Sequence, residues 1–415
     1  MSRLNELIQQ YCPDGVEYKS IESVTKNISS GLNPRKNFTL NGNGATCYYL
    51  TVKEITTGKI IFSDKTDKIT PDAVNIIQNR SRLEIDDILL SGIGTIGKVA
   101  IVDIPVDNWN CSESVLLLKP NKEIICPKYL KYILEGNETQ AYFNSHATGS
   151  TLKGIRQKDL RTHSIPVPPL PVQEEIVRIL DNFAELQAEL QAELQKRLQQ
   201  YNYYRNQLLS FDDNNLPILQ LQQCVSDDCS MSYGIVQPGD DYFGGTPVVR
   251  PVDLSKRIIH IQGIKTIKPE LLHSYSRTEL KGGELLVCVR GTTGVVSFAG
   301  DDLRGGNVSR GIVPLRFNSL VDAHYMYHLF NSDYVRTQIA NKTRGAALQQ
   351  INVGDLKKIS IPIPPITEQK RIANILDRFD HLTNDLSQGL PAEIEARRKQ
   401  YEYYRDQLLT FKQKA

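Results

Sequence analysis

Long apolar runs are missing from this sequence. None reaches the ~18 residues that a bilayer-spanning helix needs. The first residues, MSRLNELIQQY, lack the apolar core of a signal peptide. Cysteine is sparse: seven in 415 residues, none in a Cys-x-x-Cys pair. That usage fits reduced thiols in a cytoplasmic protein and excludes a disulfide scaffold or a zinc ribbon. Charge of one sign is also lacking, with 49 Lys+Arg against 47 Asp+Glu. A polybasic phosphate clamp is excluded, although a local basic groove is not. The seven His are scattered, with no His-x-x-x-His pair, and no P-loop Gly-Lys-Ser/Thr occurs. The Pro-Pro pairs at 168–169 and 364–365 lack the polar residue before and the aromatic after that amino-methyltransferases use. They read as stiff joints. No catalytic, metal or cofactor motif of this chain's own emerges.

What is present is a repeat. SIPVPPLP at 164–171 recurs as SIPIPPIT at 360–367, and IVRILDNF at 176–183 recurs as IANILDRF at 372–379. YNYYRNQLLSF at 201–211 recurs as YEYYRDQLLTF at 401–411. Upstream, Gly149, Leu152, Ile155, Asp159 and Leu160 match Gly345, Leu348, Ile351, Asp355 and Leu356. Further back, DDILLSGIGTIG at 86–97 matches GELLVCVRGTTG at 283–294, and Asn110 and Ser112 match Asn307 and Ser309. The period is about half the chain, too long for a solenoid. The order is globule, segment, globule, segment.

Each segment has helical periodicity. The spacing predicts an unbroken helix over 172–211, started by Pro171, forty residues and about 60 Å long. The second stripe, with Thr367 as N-cap, is expected to break at Gly389 and Pro391. The globules alternate short β-rich runs with Gly, Asn and Asp, and each ends in a short helix, at 127–136 and 323–332. Their class is α+β. Predicted boundaries are 1–165 for the first globule, 166–212 for its helix, 213–361 for the second globule and 362–415 for its helix.

Gly92–Gly97 fits G-x-G-x-x-G, but KVAIVDI after it reads as a strand where a dinucleotide site needs a helix. A turn between strands is the expectation there. Polar and basic residues in the globule loops suit DNA contacts, because Arg forks read guanine and Asn or Gln reads adenine. In the first globule these are Ser30, Asn33, Arg35, Lys36, Lys53, Ser91, Thr95, Lys98 and Ser112. In the second they are Tyr233, Gln237, Arg250, Arg290, Thr292, Thr293, Asn307, Ser309 and Arg310. A solvated turn is the plain alternative for each. Two readings fit Tyr203, Tyr204, Tyr403 and Tyr404, with Phe183 and Phe379: helix packing with a polar tip, or a surface on which partner subunits dock.

The paired I-P-x-P-P, I-x-x-I-L-D-x-F and Y-x-Y-Y-R-x-Q-L-L-x-F motifs, each after a globule ending Gly-x-x-Leu-x-x-Ile-x-x-x-Asp-Leu, resemble the specificity subunits of type I restriction–modification systems. The resemblance covers essentially the whole chain. It implies two target recognition domains separated by two long helices, packed as an antiparallel coiled coil with a pseudo-twofold repeat. It implies double-stranded DNA as ligand, with two methyltransferase subunits and restriction subunits as partners. S-adenosylmethionine, ATP and magnesium would be on those partners, and this chain would catalyse nothing. One departure is the tandem AELQ of 184–195, which the second segment lacks. Four bases face six acids across 172–211 and nine face eight across 367–415, so the globules keep 36 bases against 33 acids. That surplus suggests weak DNA binding by the chain alone. Rivals are the equivalent subunit of a system whose methyltransferase and nuclease share one chain, a coiled-coil adaptor with two protein-binding domains, and a nucleotide-dependent oxidoreductase.

Overall fold

The computed structural model describes residues 3–35, 37–56, 58–149, 152–211, 216–345, 348–384 and 389–414. They form two compact units: residues 1–190 with 394–415, and residues 191–393. Each unit therefore contains one globule, the start of the helix that follows it, and the end of the other copy's helical segment.

In the first unit, strands Thr25–Ser30, Val115–Pro120, Ile88–Ser91 and Val99–Ile101 form an antiparallel sheet in that order. A second sheet places Cys47–Leu50 between Lys68–Ile69 and Trp109–Cys111. In the second unit, Ile258–Ile259, Val296–Ala299, Leu285–Cys288 and Ile312–Leu315 form the four-stranded sheet. Thr246–Val249 there lies between Thr266–Ile267 and Asn307–Val308. The strand runs predicted from the sequence are thus in place. Gly31 and Gly234 are at one position of the two copies, where a Cβ would stand 1.9 Å from the Cys111 carbonyl oxygen and 1.8 Å from that of Val308. Only glycine lets those backbones close up.

The first long helix is unbroken from Leu170 to Leu208, with Pro171 in its first turn. The second segment stops at Asn384 and restarts at Leu390, so Pro391 occupies a helix start and not an interior. Residues between the two ends fall partly outside those described. Thr367 is not an N-cap: that helix already begins at Ile366, and the Pro365 carbonyl accepts from Glu368 and Gln369 N–H.

Globule and helix are joined alike in both units. Gln173 donates to the Pro168 and Ile124 carbonyls and accepts from Cys126 N–H, while Gln369 donates to those of Pro364 and Leu320 and accepts from Asp322 N–H. Both glutamines are fully buried, so these bonds satisfy groups that would be costly to leave unpaired. Asp181 accepts from Lys128 Nζ and from Tyr132 Oη, both at 2.6 Å. At the same place Asp377 meets His324 Nδ1 at 2.7 Å and His328 Nε2 at 2.6 Å, and also takes Arg257 Nη2 at 2.5 Å. Burial works against the Asp377 anion, but the two His bonds and the Arg257 charge hold its carboxyl well below the usual range. The bond to Asp377 raises His324, whereas burial lowers His328.

In the first unit the residues around Val16 meet those around Lys412. Val16 N–H donates to the Lys412 carbonyl at 2.8 Å and Lys414 N–H to that of Val16 at 2.9 Å. Tyr18 Oη donates to the Phe411 carbonyl at 3.0 Å.

Candidate nucleic-acid interface

In each unit a glycine turn joins two antiparallel strands. The first, Gly92–Gly97, has Gly94 at φ +85° and Gly97 at φ +87°; the second has Gly291 at +88° and Gly294 at +86°. The next element is the strand Val99–Ile101 or Val296–Ala299. No helix follows to receive a pyrophosphate, as the sequence led one to expect.

A tight hairpin is fastened to each turn. Thr148 and Gly154 exchange backbone bonds at 2.9 and 2.8 Å, as do Arg344 and Gln350. The Lys153 carbonyl then accepts Gly94 N–H, and the Gln349 carbonyl accepts Gly291 N–H, both at 2.8 Å. Gly149 and Gly345 take φ of +121° and +101°, and a Cβ there would stand 2.2 or 2.3 Å from the carbonyl oxygen of Leu152 or Leu348. Glycine is required twice over, by conformation and by space.

The second unit gathers several of the expected contact residues. Arg310 N–H donates to the Ile235 carbonyl and Ser309 N–H to that of Val249, which joins the 233–237 loop to the ends of two parallel strands. At Gly311 a Cβ would stand 2.4 Å from Pro251 Cγ and 3.7 Å from Arg290 Cβ. Gln237, Arg310 and Thr292 are exposed there, and Arg290 is half-buried. Thr293 Oγ1 lies 3.2 Å from Thr343 Oγ1. Arg250 closes its fork on Asp253, at 3.1 and 3.0 Å, and Tyr233 packs on the core with its hydroxyl 3.4 Å from Val353 N. Both are committed to internal partners.

In the first unit Lys53, Thr95 and Arg35 are exposed, Arg35 at φ +28°. Lys98 Nζ donates to the Val52 carbonyl, which places it beside Lys53, and Asn33 donates to Glu113 Oε1 at 2.5 Å. Lys36 lies outside the described residues.

Five of the expected contact residues are buried. Asn307 is fully buried: it donates to the Tyr275 carbonyl and accepts from Val308 N–H and Thr278 Oγ1. Ser91 accepts from Lys98 N–H, Ser30 accepts from Arg80 Nη2, and Ser112 Oγ lies 2.6 Å from Ser114 Oγ. Ser309 is buried as well. These groups hold strand ends together.

The turns and hairpins share an electrostatic feature that the motif reading missed. No Asp or Glu occurs between Asp87 and Asp103, between Glu138 and Asp159, between Glu284 and Asp301, or between Asp333 and Asp355. Those stretches hold Lys98, Lys153 and Lys158 in the first copy, with Arg156 closed on Asp159 at 2.8 and 3.3 Å, and Arg290, Arg336, Lys342 and Arg344 in the second. In a chain of balanced charge, this end of each globule is locally cationic. A cavity of about 490 Å³ lies behind the second turn, lined by Thr293, Arg336, Thr343 and Gln349 among others.

The helix aromatics divide by depth. Tyr201 and Tyr401 face the interior, under Arg205 and Arg405 at 5.2 and 5.8 Å. Tyr404 stacks on Phe183 at 5.7 Å, and Tyr204 stacks on Phe379 at 5.7 Å. Outermost are Tyr203 and Tyr403, 59% and 62% exposed, and Leu186 and Leu382 are exposed as well. Among the described residues no group of metal-ligating side chains occurs and no helix is long and apolar enough to cross a membrane. The seven cysteines are free.

Residues 13–200 and 237–396 match the type I restriction modification DNA specificity domain. A specificity subunit of an Escherichia coli type I restriction enzyme is 35% identical over 261 residues, 59% of this chain and 61% of that one. The match thus spans less than two thirds of that relative. A Haemophilus influenzae protein named as a specificity subunit of the same enzyme type is 33% identical over 70% of this chain and 74% of its own. Among solved structures, a chain of a type I restriction–modification system covers 96% of this one with a TM-score of 0.60 at 16% identity. The S subunit from M. genitalium covers 95% with a TM-score of 0.54 at 15% identity. Those two likenesses concern the fold.

Proposed function

This chain belongs to the type I restriction modification DNA specificity family, and from that premise we propose that it is the DNA-reading subunit of a restriction–modification complex. One observation carries the detail: two copies of a turn-and-hairpin frame, each locally cationic, carry different side chains at matched positions. Arg290 and Thr293 stand in the second turn where Ile93 and Ile96 stand in the first. Equal frames with unequal contacts suit a bipartite, asymmetric target, one half read by each unit. Arg290, Arg310 and Gln237 are the reading groups in the second unit, and Lys53, Lys98 and Arg35 are their counterparts in the first.

With only a small surplus of cations in the globules, this chain supplies readout while partner subunits supply most phosphate contacts. Two methyltransferase subunits dock on the two aromatic patches, Phe183–Tyr404–Tyr403 and Phe379–Tyr204–Tyr203. Restriction subunits join through them. S-adenosylmethionine, ATP and magnesium are bound by those partners, and the chain acts in the cytoplasm as a non-catalytic component. The test is the methylated motif of a host that carries this chain with its methyltransferase. Exchanging residues 24–163 for those of another family member should change one half of the motif and leave the other. A folded hybrid that alters both halves, or a host whose methylation ignores the chain, would overturn the reading.

A further inference from the structure

The two hairpins present one apolar side chain each at the same position: Leu152, 68% exposed, and Leu348, 50% exposed. Both are fixed close to the reading turn, since the residue that follows each leucine accepts the turn's backbone N–H. Both lie in stretches that lack acids and carry cations. The hairpin keeps its glycine, its leucine and its backbone bonds in both copies, whereas the turn beside it changes from Ile93 to Arg290. A side chain that stays the same while its reading neighbours differ must meet something common to both half-sites.

We propose that Leu152 and Leu348 enter the DNA as wedges, one in each half-site, independently of base sequence. This rests on the DNA-reading function proposed above. Three properties suit a wedge. An apolar side chain inserted at a base step takes the place of lost stacking and kinks the duplex. The leucine must be held beside the turn, and the backbone bonds of Thr148 with Gly154, of Arg344 with Gln350, and of the turns with Lys153 and Gln349 do that. The surrounding cations, Lys153 at one hairpin and Lys342 and Arg344 at the other, complement the phosphates that flank an opened step. The local charge favours DNA over an apolar protein surface as the occupant. The kink would also lower the work of extracting a nearby base for methylation.

The experiment uses the complex of this chain with its methyltransferase. Its probe is target duplexes carrying 2-aminopurine at successive positions, the methylated adenine excepted. The unaltered complex should raise fluorescence at one step in each half-site. Leu348→Ala should abolish the rise in the second half-site only, Leu152→Ala in the first only, and each should weaken binding about tenfold without changing the methylated motif. Leu348→Met should restore the signal. Rises that persist in both alanine variants, or that are absent from the unaltered complex bound to its target, overturn the wedge. Loss of methyltransferase from the Leu348→Ala complex on gel filtration would overturn it in favour of a protein contact. Failure of the DNA reading shows separately, as an unaltered complex that does not prefer its target over random duplex.

Discussion

Asp406 accepts the backbone N–H of Asn137 at 3.2 Å, and so closes the first turn of the helix Asn137–His146 with a residue 269 positions away. The other copy reverses the side chains: Asn206 accepts the N–H of Asp333 at 3.2 Å and donates to its carboxylate at 2.5 Å. Neither helix has a side-chain cap from its own N-cap residue. The pairs complement each other because only one acid stands in each. Asn206→Asp sets two carboxylates together at a helix start and should destabilise the second unit by about 1 kcal/mol or more. Asp333→Asn keeps the acceptor for Asn206 and should cost a few tenths. Urea unfolding of the two variants checks this, and equal losses would refute it.

Arg290→Ala removes a fork from the second turn. A bidentate base contact is worth ~1–3 kcal/mol and one position of specificity. The variant should relax the second half of the methylated motif and leave the first intact. An equal loss of affinity for every sequence would make Arg290 a phosphate contact instead.

Tyr203 and Tyr403 are the outer members of two matched aromatic patches, while Tyr204 and Tyr404 already stack on phenylalanines. Tyr203→Ala with Tyr403→Ala should therefore weaken methyltransferase binding at least tenfold, on the scale of an interface hot spot, with little change in melting. A pull-down with unchanged recovery would argue against docking there.

His324 ties the second globule to its helix through Asp377, at 2.7 Å, with Arg257 at 3.0 Å and the anion of Asp322 nearby. Its pKa is raised in the folded state, so its contribution is full below the unfolded value of ~6.5 and is lost as pH rises through the folded one. It is about half exposed, and a screened pair of this kind is worth under about 1 kcal/mol. His324→Lys restores the residue type of Lys128 and keeps its charge at all relevant pH. Relative to that variant, the native chain should lose stability between pH 6 and pH 8. Parallel stability profiles would refute the role.

The tandem AELQ at 184–195 lies wholly inside the helix Leu170–Leu208. Deleting residues 188–191 shortens the helix by about 6 Å and turns its end by ~40°. One DNA base pair is a rotation of about 35°. Rotation should decide the outcome, because a head turned off its groove loses base contacts, while a few ångströms are absorbed by bending. The methylated motif should keep both halves and lose one base pair of unread spacer. An unchanged spacer would show that this stretch does not set the distance.

The framework was largely legible in the sequence, because alternation and three-to-four spacing follow directly from burial. The turn at Gly92–Gly97 was legible for the same reason, since the strand after it excludes a cradle. The reading groups were less so. Asn307 and Ser91 look like loop residues by type, yet the sheet ends bury them and use them to satisfy backbone groups. For Asn307 and Ser309 the signal lay in the repeat itself: Asn110 equals Asn307 and Ser112 equals Ser309, and side chains identical in both copies cannot distinguish two half-sequences. Leu152 and Leu348 escaped notice because a matched leucine ordinarily marks a core, and only the fold shows both facing outward.

Because residues 394–414 complete the first unit, the ribosome delivers its two units in reversed order of maturity. The whole of the second, residues 191–393, has been translated before the segment that ends in Phe411 and Lys414 exists. A nascent first globule must therefore wait with its apolar helix face open. The unit whose translation starts first is the second to be finished.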